Sequence, residues 1–330
     1  MRLEQLERRT FVTLLGAAGA NALLASRGLS QQAGKPSVGF LSIGRKDQTL
    51  VTAFQQGLTD AGLNPELDVD IEYRWADARY EALASLATDL AARKVWVIGA
   101  MGLASALAAK PSVTRVPLVF VVEGDPIKFG LVNSLAQPNE RATGVSFKLS
   151  ELTATQFDLL GQLVTNPPAT GLLINPNNPS NPHAVEGAQS ARPNKLIVVK
   201  ASQETELDAA FASLISQGAT ALVVPADAFF FDQRQKLVAL AAQHKLPTIY
   251  PAREFAVAGG LMSYGASVTG ACRQAGIYAG FIIKGTPIVQ LAVQQNVQTE
   301  FVINLDTAQA LNFTIPVALL GRADSVIQAR

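Results

Sequence analysis

The sequence predicts an α/β protein of two doubly wound lobes, each a parallel sheet covered by helices on both faces. Three observations point there. Short apolar runs alternate with helical patterns of roughly 10–15 residues, the order that builds parallel sheets. The alternation restarts after residue 150, and its ten or so units exceed one comfortable open sheet. The chain has 330 residues, enough for about two domains.

The elements follow in order. Val38 to Ser42 reads as a buried strand, and Leu50, Val51, Phe54, Leu58 and Ala61 then share one face of a helix. Val69, Ile71, Tyr73 and Trp75 alternate at period two, giving a second strand, and Tyr80, Leu83, Leu86, Ala87 and Leu90 form the next helical stripe. Val95 to Ile98 and Leu118 to Val122 are strands, with Leu103 to Ala109 as the helix between them. In the second half, helix Glu151 to Leu163 precedes strand Gly171 to Ile174, and only a short segment is expected from Ser180 to Arg192-Pro193. Strand Leu196 to Val199 precedes helix Glu204 to Gln217, and strand Ala221 to Val224 precedes helix Phe231 to Gln243. Strand Thr248 to Tyr250, helix Thr269 to Lys284 and strand Phe301 to Asn304 close the series.

The amino terminus reads as an address. Arg8-Arg9-Thr10-Phe11 opens an apolar stretch to Ala25, and Gly28-Leu29-Ser30 offers a small-x-small cleavage site. The stretch is about 15 residues, shorter than the ~20 that span a bilayer. Residues 1–30 are therefore expected to be a twin-arginine-like or general secretory signal, with the mature chain in the periplasm. No cysteine lies near the cleavage site, which argues against a lipoprotein, and no later run is apolar and long enough to insert in a membrane.

Composition excludes several functions. Removing residues 1–30 leaves 23 basic and 24 acidic residues, a net charge of −1, with no basic footprint for nucleic acid. The single cysteine, Cys272, and two histidines, His183 and His244, rule out intramolecular disulfides and Cys/His zinc clusters. Both histidines are read as surface residues. There is no Gly-x-Gly-x-x-Gly after the first strand, no phosphate-binding Gly-x-x-x-x-Gly-Lys-Ser/Thr and no Gly-x-Ser-x-Gly elbow, so no cofactor is expected.

In open parallel sheets, ligands bind beyond the carboxyl ends of the strands. Those positions hold Ser42-Ile43-Gly44, Gly99 to Gly102, Glu123 to Pro126, Asn175 to Pro179 and Pro225 to Phe229. Asp, Asn, Ser and amides at helix starts suit a small zwitterion, since amides accept a carboxylate and a buried carboxylate pairs with an ammonium. Asp125 and Asp227 each read equally as helix caps, and Asn175 to Asn178 as a turn.

The same residues carry a resemblance. Gly39-Phe40-Leu41-Ser42, Glu72-Tyr73-Arg74-Trp75-Ala76, Gly124-Asp125-Pro126, Thr143-Gly144-Val145-Ser146 and Asn175-Pro176-Asn177-Asn178-Pro179 appear in order. Arg253-Glu254-Phe255, Gly259 to Gly265 and Arg273-Gln274-Ala275-Gly276 follow. The chain resembles the ABC-transporter substrate-binding proteins of the tryptophan/tyrosine type over essentially its whole mature length.

The resemblance implies a type I periplasmic-binding-protein fold whose lobes are joined by three hinge crossings. These are expected near Thr143, near Tyr264 to Ser267 and near Leu291 to Val297, giving lobes of 36–143 plus 266–290 and 144–264 plus 298–322. It implies a small-molecule ligand such as an aromatic amino acid, captured by a monomer and delivered to an ABC permease with its cytoplasmic ATPase, without catalysis. Ser42, the amides around Gly44 and Gly102, and Ser105 would hold a carboxylate. Asp125 or Asp227 would take an ammonium, while Met101, Phe229 and Tyr264 would line an apolar pocket. Ser146 and Asn175 complete the candidate set, and Glu254 is read as pairing with Arg253 or Arg273. A ligand sensor feeding a signalling receptor stays open beside transport. An exported α/β enzyme would need a nucleophile–base pair that the sequence does not display.

Overall fold

The structure is a computed structural model that describes residues 34–328 apart from 166, 192, 296 and 297. The stretch read as an export signal lies outside the described residues.

Twelve strands are described: β1 (Ser37–Ser42), β2 (Asp70–Trp75), β3 (Val97–Met101), β4 (Leu118–Glu123), β5 (Ala142–Phe147), β6 (Thr170–Ile174), β7 (Leu196–Lys200), β8 (Ala221–Val223), β9 (Thr248–Tyr250), β10 (Met262–Ala266), β11 (Thr299–Asn304) and β12 (Ser325–Ile327). They form a five-stranded sheet, β2-β1-β3-β4-β5, and a seven-stranded sheet, β12-β11-β10-β9-β8-β6-β7. The described pairings are parallel, except that β10 and β11 run antiparallel. The helices are α1 (Gln48–Asp60), α2 (Leu83–Ala92), α3 (Leu103–Ala109), α4 (Leu149–Val164), α5 (Asn181–Ser190), α6 (Glu204–Ser216), α7 (Ala228–Asp232), α8 (Arg234–Gln243), α9 (Arg253–Val257), α10 (Val268–Ile283), α11 (Leu305–Ala310) and α12 (Val317–Leu320).

The central strands β1, β3, β4 and β6 are buried on both faces and read as near-continuous apolar runs, while β2, β7 and β12 are only partly buried. On one side of the first sheet, Leu41, Ile98 and Phe120 pack under α2 and α3. On the other, Phe40, Val97, Val119 and Val121 meet α1 and α10. Helices α1 and α10 touch backbone to backbone: a Cβ on Gly57 would stand 1.9 Å from the Arg273 carbonyl oxygen, and one on Gly276 would stand 2.2 Å from that of Phe54. Glycine at both positions permits the contact. In the second sheet, Leu173, Leu222 and Phe230 lie on one face, and Leu172, Val223, Ile249 and Ile303 on the other.

The chain leaves the first sheet after Phe147, returns to it through α10 after Ala266, and rejoins the second sheet at β11. Thr143, the expected first crossing, lies inside β5 instead, and its hydroxyl donates to the Leu291 carbonyl at 2.5 Å. The β5 register continues four residues further because its backbone pairs with β4 as far as Glu123 and Phe147. The third crossing is tied to β5: Ser146 N–H donates to the Gln294 carbonyl, and Gln294 N–H to that of Gly144, both at 2.9 Å. The second sheet runs on to β12, beyond residue 322.

Two further expectations are revised. Asn181–Ser190 forms the full helix α5, with Pro182 in its first turn, where a missing N–H costs nothing. The helix expected over 231–243 is two, α7 and α8, separated at Gln233. Among the described residues, no helix is long and apolar enough to cross a membrane, and no cluster of three His, Cys, Asp or Glu side chains suits a metal.

Candidate functional site

The carboxyl ends of the strands in both sheets meet in one cleft, and its centre is a polar network. Asp227 lies beyond β8 and caps α7, accepting the Phe230 N–H at 3.0 Å. It also accepts from Asn175 Nδ2 at 3.2 Å and from Asn178 Nδ2 at 2.9 Å, both in the turn after β6. The fourth donor comes from the other lobe: Tyr80 Oη donates to Asp227 Oδ2 at 2.8 Å. Asp77 and Ala78, just before Tyr80, have φ of 53° and 61°, a region L-residues avoid. Their turn is held by N–H donation from Asp77 to the Gly44 carbonyl and from Ala78 to the Ile43 carbonyl, and Ala78 packs against the core of the second lobe. A strained turn thus delivers Tyr80 across the cleft.

Glu123 ends β4 in the first lobe. Its Oε2 accepts the Leu103 N–H at 3.1 Å, at the start of α3. Burial pushes both carboxyls, Glu123 and Asp227, above the ordinary range, and the charge of Asp227 raises Glu123 further. Burial, then Asp227, pushes the Tyr80 phenol up as well, which keeps it a donor. Among the described residues, no Lys or Arg forms an ion pair with Glu123 or Asp227.

Two more contacts join the lobes. Arg45 Nε lies 3.1 Å from Asp232 Oδ2. The His183 ring packs edge-on to Phe129, with centroids 5.3 Å apart, and covers Gly124, where a Cβ would stand 2.9 Å from the imidazole. His183 is therefore not a surface residue; its side chain is only 16% exposed. Where the three crossings meet, a cavity of about 220 Å³ opens between Phe147, Lys148, Glu151, Leu152, Tyr264 and Gln295. Phe147, in the cavity wall, pairs with Glu123 in the sheet.

The expected site residues divide. Asn175 and Asp227 join the network, and Tyr264 lines the hinge cavity. The first-lobe amides are engaged within the fold and do not offer a carboxylate site. Gly44 N–H donates to Ser42 Oγ at 3.2 Å, Gly102 N–H to the Val121 carbonyl at 2.9 Å, and Glu123 already occupies the start of α3. Asp125 closes its own turn by accepting the Ile127 N–H at 2.9 Å and stays outside the network. Met101 and Phe229 are buried in lobe cores, while the Ser105 and Ser146 hydroxyls are buried with no hydrogen-bond partner. Glu254 is exposed; Arg253 pairs with Glu300 at 2.7 Å and Arg273 with Asp60 at 2.6 Å. Sequence reasoning missed Tyr80, Glu123, Asn178 and His183. Glu123 and Asn178 did stand at strand ends, the one signal that pointed to them.

Two α/β lobes with parallel sheets and three crossings are the type I periplasmic-binding-protein arrangement. The chain belongs to the ABC transporter substrate binding protein family, whose model matches residues 44–327. It is 25% identical over 262 residues to the tyrosine-binding protein of Clostridioides difficile strain R20291, covering 78% of this chain and 75% of that one. An ABC domain from Streptococcus pneumonia, solved in complex with L-Trp, superposes with a TM-score of 0.80 at 21% identity, over 89% of this chain and 100% of that one. A conserved domain protein from Vibrio cholerae gives a TM-score of 0.78 at 23% identity, over the same shares.

Proposed function

We propose that the protein is the periplasmic receptor of an ABC importer and that its solute is an amino acid with an aromatic or hydrophobic side chain. One observation carries this reading: Glu123 and Asp227, one from each lobe, reach the same cleft without a cationic partner among the described residues. Two such carboxylates are costly unless a cation meets them, and a solute ammonium supplies it. The side chain would extend toward the cavity between Phe147 and Tyr264, whose volume of about 220 Å³ suits a small organic group. The tyrosine-binding relative and the L-Trp complex support the aromatic class.

In this reading, residues 36–147 with 266–290 form the first lobe and 148–264 with 298–328 the second. Closure of a monomer around the solute presents both lobes to a membrane permease driven by a cytoplasmic ATPase. The protein binds and releases its solute unchanged, and residues 1–30 direct export. A thermal-shift screen of the purified protein against amino acids, aromatic acids lacking an amine, and small amides tests the proposal. Ligand at about 100 times its dissociation constant stabilises by roughly 2.7 kcal/mol. The aromatic amino acids are expected to raise the melting temperature. A shift confined to acids lacking an amine would overturn the reading.

A further inference from the structure

We propose that the Tyr80 hydroxyl is an internal competitor of the solute's ammonium: it holds on Asp227 the place that the ammonium takes, and only a charged donor displaces it. The inference rests on the reading that an ammonium binds at Asp227, and it names the residue that sets how strictly the site selects amines.

Asp227 has no acceptor position to spare, since a carboxylate offers about four lone pairs. Oδ1 accepts the Phe230 N–H at 3.0 Å, and Oδ2 accepts Tyr80 Oη at 2.8 Å and Asn178 Nδ2 at 2.9 Å. Asn175 Nδ2 lies between the two oxygens, 3.3 Å from Oδ1 and 3.2 Å from Oδ2. An ammonium has to take the place of one of these donors.

Three of the donors are fixed within the second lobe. The Phe230 N–H belongs to the first turn of α7. Asn175 is 1% exposed, and its Oδ1 accepts the Asn177 N–H at 3.1 Å. Asn178 is held at both ends of its amide: Oδ1 accepts the Ser180 N–H at 2.9 Å, and Nδ2 also donates to the Ala226 carbonyl at 3.3 Å. Tyr80 alone of the four comes from the first lobe, and it is partly exposed. Rotation of its side chain releases Asp227 without breaking a backbone contact.

The backbone before Tyr80 is strained toward this one contact. Asp77 and Ala78 both lie in the left-handed region, with φ of 53° and 61°. The N–H groups of Ala76 and Ala78 donate to the Ser42 and Ile43 carbonyls at 2.9 and 2.7 Å, which ties the turn to the end of β1. Strain of this kind persists only where surrounding contacts enforce it, and it gathers at ligand clamps. Here it aims a neutral donor across the cleft. The other interlobe contacts, Arg45 with Asp232 and His183 with Phe129, leave Asp227 untouched.

Charge decides the exchange. A hydrogen bond from an ammonium to a carboxylate is roughly twice as strong as one between neutral groups, and it is the stronger of the two rivals for Asp227. A solute hydroxyl would replace one neutral donor by another and gain nothing. A solute with no donor leaves Tyr80 in place.

The test is calorimetric titration of wild type and Tyr80→Phe with L-tryptophan and L-tyrosine, each beside its analogue without the amine, indole-3-propionate or 3-(4-hydroxyphenyl)propionate. In the wild type the amine must first break a hydrogen bond to a carboxylate; in Tyr80→Phe it does not. The preference for the amino acid over its analogue is therefore expected to rise at least about tenfold in Tyr80→Phe. A change of lobe arrangement alone moves both affinities together and leaves the ratio as it was. Where an analogue binds too weakly for a ratio, a second reading decides. With the protein's five tyrosines labelled with carbon-13 at the phenol carbon, the Tyr80 resonance, identified by its loss in Tyr80→Phe, should shift when the amino acid saturates the wild type. A ratio unchanged or lowered, or a Tyr80 resonance unmoved by the bound amino acid, overturns the proposal and leaves the ammonium reading standing. If neither protein binds either amino acid, the ammonium reading fails and the proposal with it.

Discussion

Tyr80 of the first lobe donates its phenolic hydrogen to Asp227 of the second, 2.8 Å away and 147 positions along the chain. The bond joins the strained turn at Asp77-Ala78 to the cap of α7, so the position of one lobe is felt at the polar centre of the other. Removing it tests how much of the closed arrangement depends on that contact. Tyr80→Phe keeps the ring and loses one hydrogen bond to a carboxylate, which is expected to cost about 1.5–3 kcal/mol. Small-angle scattering of the ligand-free variant should show a larger radius of gyration than the wild type; an unchanged radius would assign the lobe arrangement to other contacts.

Stability should depend on pH through the same residues. Burial raises Glu123 and Asp227, so the folded state binds protons more tightly than the unfolded chain does. Their contribution is fully present below the unfolded carboxylate values and is lost as pH rises through the raised folded ones. Thermal unfolding of the ligand-free protein is thus expected to show declining stability as pH rises above that range. Asp227→Asn should flatten the decline. Asp60, Asp89, Asp208 and Glu206, all held below the ordinary range by hydrogen bonds, act in the opposite sense on acidification, but they are exposed and solvent screens them.

Glycine substitutions separate close packing from helix propensity. Gly57→Ala would drive a methyl to 1.9 Å from the Arg273 carbonyl and force α1 from α10. A loss of about 3 kcal/mol or more is expected, read as a lowered urea midpoint. Gly161, inside α4, has nothing within 4 Å of its would-be Cβ. Gly161→Ala should stabilise by about 0.5–1 kcal/mol, because alanine gives up less backbone freedom on folding.

Gly124→Ala probes the rim of the cleft. Gly124 has φ of 118°, and a Cβ there would stand 2.8 Å from Phe129 and 2.9 Å from the His183 ring. The strain and the interlobe clash are expected to cost about 1–3 kcal/mol. The variant should still fold, yet bind aromatic amino acids more weakly in the calorimeter. Unchanged affinity would remove the His183 contact from the closed state.

The sheets were legible in the sequence where strands are wholly apolar. β1 and β4 are buried on both faces, and α3 has the bounds its stripe predicts. β5 and β10 escaped because Thr143, Gly144, Ser146, Ser263 and Gly265 give them no apolar run, and ladder pairing at the crossings holds them in place. At the site, Asp227 and Asn175 were recognisable as polar residues beyond strand ends. Tyr80 was not, since it begins a good helical stripe and its partner is set by tertiary folding alone. His183 stands among prolines and asparagines at the start of α5, and its burial depends on a glycine in the other lobe.

The most direct test of the account is the affinity of wild type and Asp227→Asn for L-tryptophan and L-tyrosine, measured side by side. The wild type should bind at least one of them, and Asp227→Asn should weaken that binding by at least about 30-fold, or roughly 2 kcal/mol, as expected for loss of one member of a buried charge pair. Affinity unchanged within about 0.5 kcal/mol, or a wild type that binds neither amino acid, would contradict it.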